Sequence, residues 1–209
     1  MKTHFEKIMN HSLIELDKIK PNKIYELVIR SFIDILRISA PEIPFDNATM
    51  DFYLEMLVKW LMLEEHIESK TDLKQTAFFY ILHQIAKLSA LSLLFTTKLI
   101  EQVPTIIDRL FYFLGKKVYS EQQYQDFLEC ISSTVNEYSE APINLLMILL
   151  RNLCKDKKNK KEKQLYEAAY YVIKNNKAIL GNKIRDFINP VAPKNNNKKD
   201  KEKKDKKRK

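Results

Sequence analysis

The sequence predicts an all-α chain, and three observations carry that prediction. Two glycines in 209 residues leave little material for the tight turns of hairpins and barrels or for phosphate-cradling loops. Apolar residues recur with the 3.6-residue period of an amphipathic helix along most of the chain. Proline, glycine and short polar residues interrupt that period where helix ends belong. The length suits one or two domains with a substantial core. The expected division is a helical domain over 1–189 and a basic, disordered tail over 190–209.

In chain order, Ile24, Leu27, Val28, Ser31, Phe32, Ile35 and Leu36 share one helical face, with Lys23, Glu26, Arg30, Asp34 and Arg37 opposite. This helix is expected to stop near Ser39, because Pro41 disfavours helical geometry at Ala40 and Pro44 repeats the block. Asp46 or Asn47 then caps a second helix that buries Met50, Tyr53, Leu54, Leu57 and Leu61. After Ser69 to Asp72, a long third helix carries Phe78, Ile81, Leu82, Ile85 and Leu88. Pro104 suits the first turn of a fourth, which Gly115 can end. Ser120 is placed to cap a fifth through Val135, with Tyr124, Phe127, Leu128 and Ile131 inward. Pro142 opens a sixth that buries Leu146, Leu149, Leu150 and Leu153. A lysine-rich loop follows, then Leu165, Ala168, Ala169, Val172 and Ile173 on a seventh helix. A last short piece holds Leu180, Ile184 and Phe187, its start blurred by Gly181.

Antiparallel helix pairs that recur at roughly 40 to 50 residues match the period of HEAT-type repeats, and several helices are apolar on more than one side, as stacked helices require. The expected architecture is therefore a HEAT-type helical-repeat solenoid. Beyond Asn189 the prolines at 190 and 193 end it, and the Asn/Lys/Asp tail has too little apolar surface to order itself.

The formal charge of +9 is unevenly spread. Residues 194–209 hold ten basic and three acidic side chains, hence +7, and residues 155–163 hold six lysines and two acids, hence +4, which leaves −2 elsewhere. A body this neutral is not that of a protein wrapping DNA on its folded surface. For the tail two readings stand open, a solvated lysine run on the one hand and a nuclear-import role or a nucleic-acid contact, with DNA as the partner, on the other. The first residues carry charge where a signal peptide needs an apolar run. The longest apolar stretch, around Leu88 to Phe95, is broken by serines and falls far short of a membrane span. Cys130 and Cys154 read as buried thiols rather than a disulfide or zinc site.

No catalytic constellation is legible: there is no glycine-rich phosphate loop, His-Glu-x-x-His or nucleophile elbow. His4, His11, His66 and His83 lack ligand partners in the sequence, so neither metal nor cofactor is expected, and His83 with Glu65-His66 is the only thin case for an enzyme. Trp60, Tyr53 and Met56 read as core packing before a binding anchor, and one of Tyr170 and Tyr171 faces inward while the other sits at the rim. Lys157, Lys158, Lys160 and Lys161 are candidate phosphate or nucleic-acid contacts, the basis of the rival reading as a helical nucleic-acid-binding protein. The segment Ala40-Pro41-Glu42-Ile43-Pro44-Phe45 stands out. Its two prolines stiffen it before any partner arrives, so it is either a helix-breaking connection or a docking loop with little ordering cost.

The run from Ser31 through Arg37 to Ala40-Pro41-Glu42-Ile43-Pro44-Phe45 resembles the N-terminal signature of the cohesin-associated "precocious dissociation of sisters" (Pds five) family, an Asp-Ile-Leu-Arg helix end followed by Ala-Pro-acid-x-Pro-aromatic. The segment Pro142 to Leu153, then Ala169, Val172 and Ile173, then Ile184, Phe187 and Asn189, resembles further blocks of that family in the same order. The resemblance implies a non-enzymatic HEAT-repeat regulator of cohesin in sister chromatid cohesion. Its implied partners are the kleisin subunit, a Wapl-type release factor and the cohesin acetyltransferase, and its implied place is the nucleus, on chromatin. It further implies that Arg37 and Ala40 through Phe45 receive short aromatic-basic motifs. Phe45 stands where the family more often has tyrosine, and Glu42 where it has aspartate. The family's inositol hexakisphosphate site needs basic residues spread over the surface, and the resemblance does not assign it to particular residues of this sequence.

Overall fold

In the computed structural model, residues 21–63 and 72–188 are described, with side chains over 25–63 and 76–186. Helices α1 (Pro21–Ser39) and α2 (Asn47–Leu61) come first, followed by α3 (Asp72–Leu88). Two 3₁₀ segments, Ala90–Thr96 and Lys98–Gln102, lead into α4 (Val103–Leu114), and then come α5 (Glu121–Asn136), α6 (Ile143–Leu153), α7 (Lys160–Asn175) and α8 (Lys177–Ile188). The expectations that fall on His4, His11, Glu65, His66, Phe187 and the 190–209 tail lie outside the described residues.

Local chemistry explains most of the helix starts. The Asp46 carboxylate accepts from the Thr49 N–H at 2.8 Å and opens α2. Ser120 and Gln123 form a reciprocal capping box at α5, and Asn159 accepts from the Lys161 N–H at 3.0 Å at α7. Pro104 lies in the first turn of α4. Gly115 does end α4, but at φ −79° rather than in the left-handed conformation a terminal glycine usually supplies. A side chain from another repeat closes that end. Gln164 of α7 donates to Leu114 O at 2.8 Å and accepts from Tyr119 N at 3.4 Å. Gly115 is needed for space instead, since a Cβ there would lie 3.2 Å from Leu165 Cδ1.

The helices form two layers. α1, α3, α5 and α7 pack side by side in chain order, and α2, α4 and α6 make the second layer, with α1–α2, α4–α5, α4–α7 and α6–α7 contacts closing the layers on each other. Hydrogen bonds repeat that arithmetic. Tyr80 to Asp34 spans 46 residues, Cys130 to Leu82 spans 48, Arg109 to Met62 spans 47, Asn176 to Ser132 spans 44 and Lys183 to Ala141 spans 42. Each joins a helix to its counterpart one repeat away, which is how a solenoid of this period is stitched. The chain is an all-α helical-repeat solenoid.

Aromatic rings thread the layers. Trp60 of α2 stacks on Phe78 of α3 at 5.5 Å, and Phe78 meets Phe113 of α4 edge-on at 5.5 Å and Phe127 of α5 at 6.4 Å. Trp60, Tyr53 and Met56 are therefore core, as the sequence reading prefers. Tyr171 packs on the core and Tyr170 is exposed.

Four expectations are corrected. On α1 the buried face is Ile29, Phe32, Ile33 and Leu36, while Leu27 and Ser31 face out. Because Ile29 and Ile33 are as apolar as Leu27, the spacing fits two stripes, and packing against both α2 and α3 selects one. On α6 the buried residues include Leu145 and Ile148 beside Leu146 and Leu149, with Leu150 and Leu153 only half-buried. Cys154 is exposed, because it is the C-cap of α6 where the chain turns outward. Gly181 lies inside α8 rather than before it, since Asn176 turns α7 into α8 five residues earlier: its Nδ2 donates to Val172 O at 2.9 Å, and its carbonyl accepts from Leu180 N at 2.9 Å.

Candidate functional site

The loop from Ala40 to Phe45 is built by the helix ends on either side. Ala40 N donates to Leu36 O and Glu42 N to Ser39 O, both at 2.9 Å, so the last turn of α1 closes on the loop's first residues. The Ala40–Pro41 peptide bond is cis. On the far side, the Asp46 cap starts α2, and the Thr49 backbone bond holds its carboxyl below the usual carboxylate range. Phe45 pins the middle. Its ring lies 5.6 Å from Phe32 and 5.3 Å from Tyr53, and those two rings stack at 4.8 Å.

These contacts divide the predicted site residues in two. Ala40, Pro41, Glu42 and Ile43 are exposed, with Ile43 at 49 %. Pro44 and Phe45 are half-buried, so Phe45 anchors the loop and offers only part of its ring to the outside. Ile38, at 75 % exposure, adds an apolar side chain that the sequence reading of the loop missed. The spacing gave no such signal: Ile38 lies on the Leu27/Ser31 side of α1, which the sequence pattern groups with the buried face and which packing leaves outward. The result is an exposed acid, Glu42, next to exposed Ile43 on a pinned loop, with exposed Ile38 in the last turn of the helix before it.

Behind the loop, Arg37 is engaged with its own helix, its Nε 3.5 Å from Asp34 Oδ1. The same oxygen accepts from the Tyr80 hydroxyl at 2.6 Å, and this bond raises the Tyr80 phenol above its ordinary value. Arg30 lies 4.6 Å from the Tyr80 ring. The charged ridge of α1 is thus tied to α3, which fixes the angle at which α1 delivers the chain to the loop.

The lysine loop has its own order. Asp156 N donates to Glu162 Oε2 and Lys158 N to Asp156 Oδ1, both at 2.9 Å, so its two acids hold backbone. Lys157 places its ammonium 3.8 Å from the Tyr166 ring centroid. Lys158, Lys160 and Lys161 are exposed. Elsewhere, His83 Nδ1 lies 2.9 Å from Asp126 Oδ1, and Gln122 Nε2 donates to the same oxygen at 3.0 Å, a pairing that ties α3 to α5. Burial and the nearby Asp126 raise the Cys130 thiol far above its ordinary value, so it is not a nucleophile at neutral pH. Among the described residues no three His, Cys, Asp or Glu side chains gather as a metal site. Within those residues no single helix is long and apolar enough to cross a membrane; Thr76–Leu88 and Ala90–Thr96 reach that length only together, across a 63° bend.

A two-layer solenoid that offers a pinned, acid-bearing loop defines a helical-repeat scaffold of the HEAT type. A family model described as "Sister chromatid cohesion protein PDS5 protein" matches residues 7–209. The chain belongs to that family. No curated protein matches it. Membership carries a role in sister chromatid cohesion and cohesin regulation, and with it association with the cohesin complex and a nuclear, chromatin-associated setting. The family is one of non-catalytic cohesin regulators.

Proposed function

We propose that this chain is a non-enzymatic cohesin regulator whose Ala40–Phe45 loop docks a short aromatic-and-basic segment of a cohesin partner. The observation that carries the reading is the exposed pair Glu42 and Ile43 on a loop fixed by the Phe45–Phe32–Tyr53 cluster, with exposed Ile38 at the end of α1 before it. Glu42 attracts a basic side chain, and the isoleucines with the open edge of Phe45 cover an apolar one. Pro41 and Pro44 keep the loop from losing much freedom on binding. Candidate partners are a Wapl-type release factor, the cohesin acetyltransferase and the kleisin subunit. The exposed Lys158, Lys160 and Lys161, with the 194–209 tail, serve as a DNA tether, whose affinity would fall steeply with salt.

Titration calorimetry with a release-factor peptide tests the docking. The Glu42→Lys/Ile43→Ser double variant alters exposed side chains only, so helix content should stay unchanged while affinity falls about tenfold or more. Unaltered affinity would remove the loop from the binding site.

A further inference from the structure

A second recognition surface lies away from the loop, where α4, α6 and α7 converge. A groove of about 410 Å³ opens there. Phe111 and Leu165 make an apolar floor, with Leu165 packed close over Gly115, where a Cβ would lie 3.2 Å from its Cδ1. Half-exposed Tyr112 adds an aromatic wall. The rim is basic: Lys116, Arg151 and Lys155 line it against a single acid, Asp108. Asp108 is ion-paired with Arg151, which ties α4 to α6 and leaves the two lysines uncompensated. Lys116 rests 4.1 Å from the Tyr112 ring centroid, and neither lysine has an ion-pair partner among the described residues.

From this arrangement we infer that the groove binds an acidic peptide segment carrying one apolar anchor side chain. The anchor enters between Phe111, Leu165 and Tyr112, and acidic residues on either side of it meet Lys116 and Lys155. A peptide fits better than a nucleic acid, because a phosphate backbone carries nothing to set against the Phe111, Leu165 and Tyr112 side chains that line the groove between its charges. It fits better than a small polyanion too, which would leave the apolar floor uncovered. No residue is shared with the Ala40–Phe45 loop, so the scaffold offers two motif sites of opposite charge preference, and either can fail alone.

The test is fluorescence anisotropy on the full chain at about 150 mM salt, with a fluorescein-labelled peptide in which a central Phe is flanked by glutamates. Two double variants with the same change in net charge are compared: Lys116→Glu/Lys155→Glu in the groove and Lys160→Glu/Lys161→Glu outside it. Saturable binding is expected, weakened about tenfold by the groove variant and less than about threefold by the other. Replacing the central Phe of the peptide by Ala should weaken it about tenfold as well. If the groove variant loses helix content, Lys155→Gln alone makes the same comparison. Absence of saturable binding, equal losses in the two variants, or equal affinity for the Ala peptide would each overturn the inference. So would a labelled oligothymidylate whose binding falls in the groove variant as the peptide's does.

Discussion

Buried phenols make the residue scale measurable. Tyr53 lies wholly inside the cluster beneath the loop, and its hydroxyl finds no hydrogen-bond partner among the described residues. Burial pushes its phenol up to about 12, as it does for Tyr124 and Tyr138. In the unfolded chain these groups titrate near 10. A folded value above the unfolded one means that the folded chain holds the proton more tightly. The resulting stability is fully present below about pH 10 and is lost as pH rises through about 12. Absorbance at 295 nm should therefore show exposed tyrosines such as Tyr170 ionising first, with a later group that appears only as far-UV ellipticity collapses. A single tyrosine transition near pH 10 with ellipticity intact would contradict the packing around Tyr53. At this scale the sequence identified Tyr53 and Trp60 as core but misjudged Cys154, because a residue's burial at a helix end depends on where the next segment turns.

Elements were legible wherever the signal was local. The Ser120 cap, Pro104 in a first turn and the Pro41/Pro44 break all follow from chemistry within four residues, and the structure has each. Legibility failed where a distant side chain decides. The Gly115 end of α4 is closed by Gln164, fifty residues on. The 3₁₀ segments over 90–102 carry no clear 3.6-residue stripe, and they begin at Ser89 in the left-handed region with φ 49°. Phe45 was readable as an aromatic in a loop, yet its role as a pin depends on Phe32 and Tyr53, which only the fold brings to it. The local class of signal gives a direct prediction: Ser120→Ala removes the side-chain half of the α5 capping box and should cost about 1 kcal/mol by urea unfolding. Hydrogen exchange at the Gln123 amide should rise with it. No change in either would mean that packing alone sets the start of α5.

Across the whole molecule, the stitching bonds 40 to 50 residues apart show why a sequence period and a layered fold are one fact: each repeat lacks a complete core and borrows it from the next. The period was visible in the sequence, but the groove between α4, α6 and α7 was not, since its walls come from residues 108, 111, 151 and 165, which no single motif spans. The net charge of +9 likewise divides by place, with +4 in residues 155–163 and +7 in residues 194–209 around a nearly neutral body. That distribution, with the exposed acid and isoleucines near the loop, is what supports the proposal that the folded surface recognises protein. The most direct test is a pull-down of purified cohesin complex by the immobilised full chain, with kleisin quantified for wild type and for Glu42→Lys/Ile43→Ser. The account predicts clear capture by wild type and about a tenfold loss in the variant. Equal capture by both, or none by wild type, would contradict it.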